Sequence, residues 1–417
     1  AIAVVGAPIM AAEILMGRRT QQSPVGAFKT LAAGRPGGQA WQGVGYLGVI
    51  AGFTILSYYC VVAGWTIHYT WMALNGSLAE LAADPAALQA YFGGEFLASG
   101  RHQVFYHVVF MGLTVGAVYF GVKGGIERVA KILMPVLFLI LLVLVIYSST
   151  TPGFGEAIRF LFRPDFDTLT KGAVLEALGH SFFTLSLGMG AMLTYGSYMG
   201  RDISIPRAAL QISFLDTLIA LMACVIMFSI INSSGIEVSK SSTILFTTIP
   251  TVLVKLPGAG LVNALFYMLI GFAALTSTIS LLEVVSSFAI DELKWTRRRA
   301  VLTMGTIITL FGVLNALSLG MGAMLTYGSY IGRDFSIPRA ALQISFLDTL
   351  IALMACVIMF SIINTSDIEV AKSATILFTT IPTVLVDLPG GGLLIGMFYV
   401  LIGFAALTST ISLLEVV

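Results

Sequence analysis

The chain has 417 residues, 57% of them hydrophobic and 10% charged, with a net charge of +1. Soluble domains carry roughly 25% charged residues, so with a mean hydropathy of +0.95 the composition excludes a soluble enzyme and points to an all-α, polytopic membrane protein embedded in a lipid bilayer. The balanced charge argues against a nucleic-acid partner, and Cys60, Cys224 and Cys356 lie in apolar runs without metal or disulfide spacing.

In chain order, the apolar pattern predicts a span at 1–17, then a basic loop with Arg18, Arg19, Lys29 and Arg35. Next come a span at 44–74, a polar excursion at 75–101, a span at 103–122, and a short loop with Lys123, Arg128 and Lys131. A span at 132–150 follows, then an amphipathic excursion at 154–170 and an apolar run at 172–198 ending near Arg201 and Arg207. The remaining elements are a span at 209–232, a semi-apolar excursion at 236–258, a span at 260–290, a basic run of Lys294, Arg297, Arg298 and Arg299, and a span at 300–316. Basic loops tend to stay cytoplasmic, and placing all four clusters there lets the spans cross in pairs. The chain begins at Ala1 and ends at Val417 inside apolar runs, so a fragment is expected.

The run at 172–198 contains Phe183, Thr184, Leu185, Ser186, Leu187, Gly188, Met189 and Gly190 near its middle. Two glycines cost ~1 kcal/mol each in a helix interior. A helix opened at 186–190 frees backbone amides and carbonyls, which membranes tolerate only where protein or a cavity satisfies them. A broken helix built around a polar ligand is therefore expected.

Residues 185–285 recur at 317–417, identical at 88 of 101 positions. Internal repeats of transporter folds are diverged, so a near-identical direct repeat implies joined paralogues or a recent duplication. Arg299 and Arg333 should both be cytoplasmic, yet only 33 residues separate them, and two crossings need ~40.

Several stretches together resemble the bacterial neurotransmitter:sodium symporters, the LeuT-like sodium-coupled amino-acid transporters. Gly6, Ala7, Pro8, Glu13, Met16, Gly17 and Arg18 resemble the family's second helix; Tyr58, Tyr59 and Trp65 its third; and 182–190 its broken sixth. The seventh helix corresponds to 215–223, the eighth to 273–290 with Asp291, Glu292 and Leu293, and the ninth to 297–317. The resemblance implies a LeuT-fold helical bundle, with symporter helices two to nine in 1–316 and a partial second copy of helices six to eight in 317–417. Helix one would precede Ala1.

The resemblance also implies roles. Tyr59 would hold the substrate carboxylate, Ser186 would lie beside the substrate's polar backbone, and Phe183 and Met189 would line its side-chain pocket. Thr184 and Asp216 would bear on the sodium ion nearest the substrate. Ala273, Thr276 and Ser277 would form the second sodium site, with Ser277 also next to the substrate. Without the resemblance, core packing is the favoured reading of Phe183 and Met189, and on spacing alone helix packing is that of Thr276 and Ser277. Glu13 is expected to be structural near unwound backbone; His180 is expected to pack rather than move protons. The second copy repeats Asp348, Ala405, Thr408 and Ser409 but has Asn315 and Ala316 where the first has Phe183 and Thr184, so no second working site is expected. The implied activity is sodium-coupled symport of a neutral amino acid, a bulky or aromatic one being expected, across the bacterial inner membrane, with sodium co-transported and no organic cofactor. The alternative is an inactive, mis-assembled membrane chain.

Overall fold

The computed structural model describes residues 1–34, 38–163, 170–234, 244–255 and 257–320. Asp348, Ala405, Thr408 and Ser409 lie outside the described residues. All regular structure among these residues is helical. A π-turn over Ile2–Gly6 leads into α1 (Ala7–Thr20), followed by α2 (Pro24–Leu31), α3 (Gly38–Asn75), α4 (Ser77–Ala82), α5 (Pro85–Ala90) and α6 (Gly100–Tyr119). Then come α7 (Glu127–Ser148), α8 (Phe154–Phe162), α9 (Lys171–Thr184), α10 (Ala191–Tyr198) and α11 (Ile205–Ser234). The short α12 (Ile244–Thr247) and α13 (Ile249–Leu253) precede α14 (Ala259–Asp291) and α15 (Arg297–Gly320).

Starts are set by local chemistry. Ser23, Asp84, Ser99 and Thr170 each accept from a backbone amide of the first turn that follows, and Pro24 and Pro85 occupy first helical positions. Two expected boundaries moved. Arg18 and Arg19 belong to the last turn of α1, where cations complement the helix dipole. α15 runs past the expected seam at 316 to Gly320, because Leu317, Ser318 and Leu319 are compatible with helix whatever their copy of origin.

α3, α7 with its preceding turn, α11, α14 and α15 are each long and apolar enough to cross a membrane. α3 and α14 are the most enclosed, with half of the apolar window of each buried inside the protein against 22% for α7 and α11. One core cluster is aromatic: Trp65 and Tyr69 of α3 meet Phe92, Phe96, Phe246 and Tyr267, and the Trp65 indole donates to Gln103. A second fills the space between α3, α6, α14 and α15. A third joins Met10 and Ile14 of α1 to Leu185, Leu187, Ile205 and Ala209.

Small residues let backbones approach where lipid offers no hydrophobic drive. A Cβ on Gly17 would collide with the Leu193 carbonyl of α10, and one on Gly196 with Ile14 of α1. These glycines clamp α1 to the C-terminal half of the broken helix.

Contacts also tie the basic loops to one another. Arg18 donates to the Ile203 carbonyl, Lys29 lies 3.8 Å from Glu292, the Ser23 amide donates to Asp291, and Arg298 lies over the Tyr119 ring. The loops carrying the four basic clusters therefore share one face, as a common cytoplasmic assignment requires. Beneath that face Arg297 makes a two-pronged pair with the fully buried Glu283, which also accepts from Tyr198 at 2.6 Å.

Gly17→Ala should force α1 and α10 apart and destabilise the protein by about 1–3 kcal/mol, lowering its unfolding temperature in detergent. Gly43→Ala, where a Cβ meets nothing within 4 Å, should hold or raise that temperature, since alanine is the better helix former.

Candidate functional site

The break falls where the glycines place it. α9 ends at Thr184, α10 begins at Ala191, and the six residues between them turn without helical repeat. Ser186 has φ 54°, Gly188 79° and Gly190 78°. Glycine adopts this region freely; Ser186 does so at a cost of order 1–3 kcal/mol. Two glycines in the run announced the break, whereas nothing in the sequence marked the serine for a left-handed conformation.

Several of the freed amides find partners. Ser186 and Leu187 amides return to the carbonyls of Phe183 and Phe182 at 3.1 and 2.9 Å. The Gly188 amide donates to Glu13 Oε1 at 2.8 Å, so the in-span carboxylate of α1 stands against unwound backbone as expected. Its Oε2 is buried without a hydrogen bond among the described residues. Gly190 packs on Pro24 and Val284, and Gly48 of α3 faces the backbone of 188–190.

Around this turn the expected site residues fall into two groups. In one, the Thr184 hydroxyl donates to both carboxylate oxygens of half-buried Asp216 on α11, at 3.0 and 3.2 Å. His180, one turn earlier, is exposed and within electrostatic range of that carboxylate. In the other, Thr276 and Ser277 of α14 donate to the Ala273 carbonyl at 2.8 and 3.4 Å, gathering three oxygens on one helix turn. Across from them the Tyr59 hydroxyl of α3 interacts with the Ser277 hydroxyl. Ala273 and Ser277 are exposed, so these oxygens are open to an incoming ligand.

Met189 packs on the same apolar cluster as Tyr59. Ser186 is half-buried in the turn, and Phe183 is 59% exposed and belongs to neither group. Among the described residues no hydrogen bond or ion pair joins the two groups directly. The second group is tied to α10: Ser280 donates to the Thr276 carbonyl at 3.1 Å and meets the Tyr195 hydroxyl of α10 at 2.8 Å. Neither Tyr195 nor Ser280 stood out in the sequence. The Glu283–Arg297–Tyr198 pairing was also missed, although an in-span carboxylate upstream of an arginine run is a signal that could have found the ion pair.

A broken helix, an oxygen cluster on a neighbouring helix and a carboxylate at membrane depth are the parts of a sodium-coupled carrier. The profile of the sodium:neurotransmitter symporter family matches residues 98–315 and again 310–417. The chain is 36% identical over 321 residues to the sodium-dependent transporter YhdH of Bacillus subtilis, covering 76% of this chain and 69% of that protein. It therefore belongs to the sodium:neurotransmitter symporter family.

A sodium-dependent transporter of Haemophilus influenzae is 31% identical, over 75% of this chain and 68% of its own. Among solved structures, MhsT in complex with L-phenylalanine superposes with a TM-score of 0.69 at 39% identity, over 81% of this chain and 73% of that one. The symporter thus has the LeuT-like helical fold. It is an integral plasma-membrane protein whose family carries out sodium-coupled transport rather than catalysis.

Glu13→Ala in this symporter should leave the Gly188 amide without an acceptor and cost about 1–3 kcal/mol of stability. Glu13→Gln, which keeps an acceptor oxygen, should unfold closer to the parent temperature in detergent.

Proposed function

We propose that this symporter carries a bulky neutral or aromatic amino acid with sodium by alternating access. The observation that carries the reading is the cluster of Ala273, Thr276 and Ser277 oxygens facing Tyr59. Oxygen-only donors suit a hard cation, and a phenol can donate to a carboxylate. That MhsT, 39% identical, binds L-phenylalanine supports the substrate class.

Sodium, as co-substrate, binds the α14 trio; a second ion is governed by Thr184 and Asp216. Tyr59 takes the substrate carboxylate, with Ser186 and Ser277 beside its polar end. Phe183 and Met189 line the side-chain pocket, the thioether adapting to substrates of different shape. The residues at 1–316 supply the working helices. The copy at 317–417 adds no second site, since Asn315 and Ala316 replace the phenylalanine and threonine. Asp348, Ala405, Thr408 and Ser409 are then without function.

Thr276→Val should raise the sodium concentration for half-maximal uptake of phenylalanine in proteoliposomes about tenfold, equivalent to ~1.4 kcal/mol. Undiminished sodium affinity would refute the α14 site, and uptake equal in sodium and choline would refute coupling. Asp216→Ser should make uptake depend on chloride, because an external anion must then balance the sodium. Asp348→Ser should change neither quantity, and an equal effect of the two substitutions would assign function to the second copy.

A further inference from the structure

We propose that the groove between α1, α2 and the start of α3 binds the headgroup of an anionic phospholipid from the cytoplasmic leaflet. The groove encloses about 520 Å³ and is lined by Arg19, Phe28, Leu31 and Trp41 together with the ends of the helices they stand on. That volume falls within the range of about 300–1,000 Å³ typical of small-ligand sites. Its walls have two characters. Phe28, Leu31 and Met16 give an apolar side, while Arg19 and the Trp41 indole N–H are the donors left over.

Hydroxyls in the groove are already engaged. Thr20 donates to the Met16 carbonyl and Thr30 to Gln22. Neighbouring cations are engaged as well, Arg18 with the Ile203 carbonyl and Lys29 with Glu292. Arg19, by contrast, is exposed and has no hydrogen-bond or ion-pair partner among the described residues. The charge in the groove is thus positive and unanswered.

Depth selects the occupant. Glu13 meets the unwound backbone, which such folds place near the bilayer midplane. Arg19 is six residues further along α1, about 9 Å nearer the cytoplasm. From there, about 6 Å inside the edge of a hydrocarbon leaflet about 15 Å thick, its side chain can snorkel to the headgroup boundary, where tryptophan is also favoured. Basic pockets between helices on this side suit anionic headgroups. The apolar wall then covers the first carbons of an acyl chain, which a free phosphate ion lacks.

The test is titration of the purified full chain in detergent with dioctanoyl phosphatidylglycerol, followed by native mass spectrometry. The parent should bind it at least fivefold more tightly than dioctanoyl phosphatidylcholine. Arg19→Gln and Trp41→Ala, both at exposed positions, should each lower the affinity at least fivefold, while Arg19→Lys and Arg128→Gln keep most of it. Equal binding of the two lipids, or an unchanged affinity in Arg19→Gln, would overturn the proposal. Full competition by inorganic phosphate at the same concentration would overturn the lipid assignment. None of these readouts depends on sodium or on uptake.

Discussion

Inside hydrocarbon, an opened helix must find partners for its own backbone, and the architecture answers that constraint. Six residues at 185–190 leave the helical repeat. The amides of Leu185, Ser186 and Leu187 are met by local carbonyls and that of Gly188 by Glu13. The turn is seated against Gly48 and Pro24, and the helix that leaves it is clamped to α1 through Gly17 and Gly196. Once these contacts exist, Thr184 at one end of the break reaches Asp216, while the other end leads into α10 and Tyr195.

The polar parts of the site are arranged by ordinary helix geometry. Positions 273, 276 and 277 share one face because three- and four-residue steps do so in any α-helix. The hydroxyls then turn back on the Ala273 carbonyl, a habit of Ser and Thr within apolar helices. The cluster's company is the exposed residue Ala273 and the Tyr59 hydroxyl from across the helix pair.

Much of this was legible in the sequence. The spans of α3, α7, α11, α14 and α15 followed from unbroken apolar runs, the break from two glycines within one, and the shared face of the basic loops from their four clusters. Glu13 beside unwound backbone followed from its in-span charge and the motif around it. Other features were not legible. Ser186 takes a left-handed conformation that its own chemistry disfavours, which the surrounding contacts impose. The Tyr195–Ser280–Thr276 link and the Tyr198 contact to Glu283 depend on how α10 docks on α14. The four-residue extension of α15 through a repeat boundary shows that kinship between segments need not coincide with where a helix stops.

α3 has 38 residues and no proline, making it a rod of about 57 Å. A bilayer with its headgroups is only about 40–45 Å thick, so the rod must lean or protrude. One of its ends enters the cytoplasmic groove through Trp41, and the other holds Trp65 and Tyr69 in the aromatic cluster. Tyr59 and the Gly48 seat of the broken helix lie between them. Pivoting such a rod by 10° about its centre swings each end about 5 Å in opposite directions. A tilt of that size about the middle of α3, near Tyr59, would thus move its two ends in opposite directions by about the pitch of one helical turn.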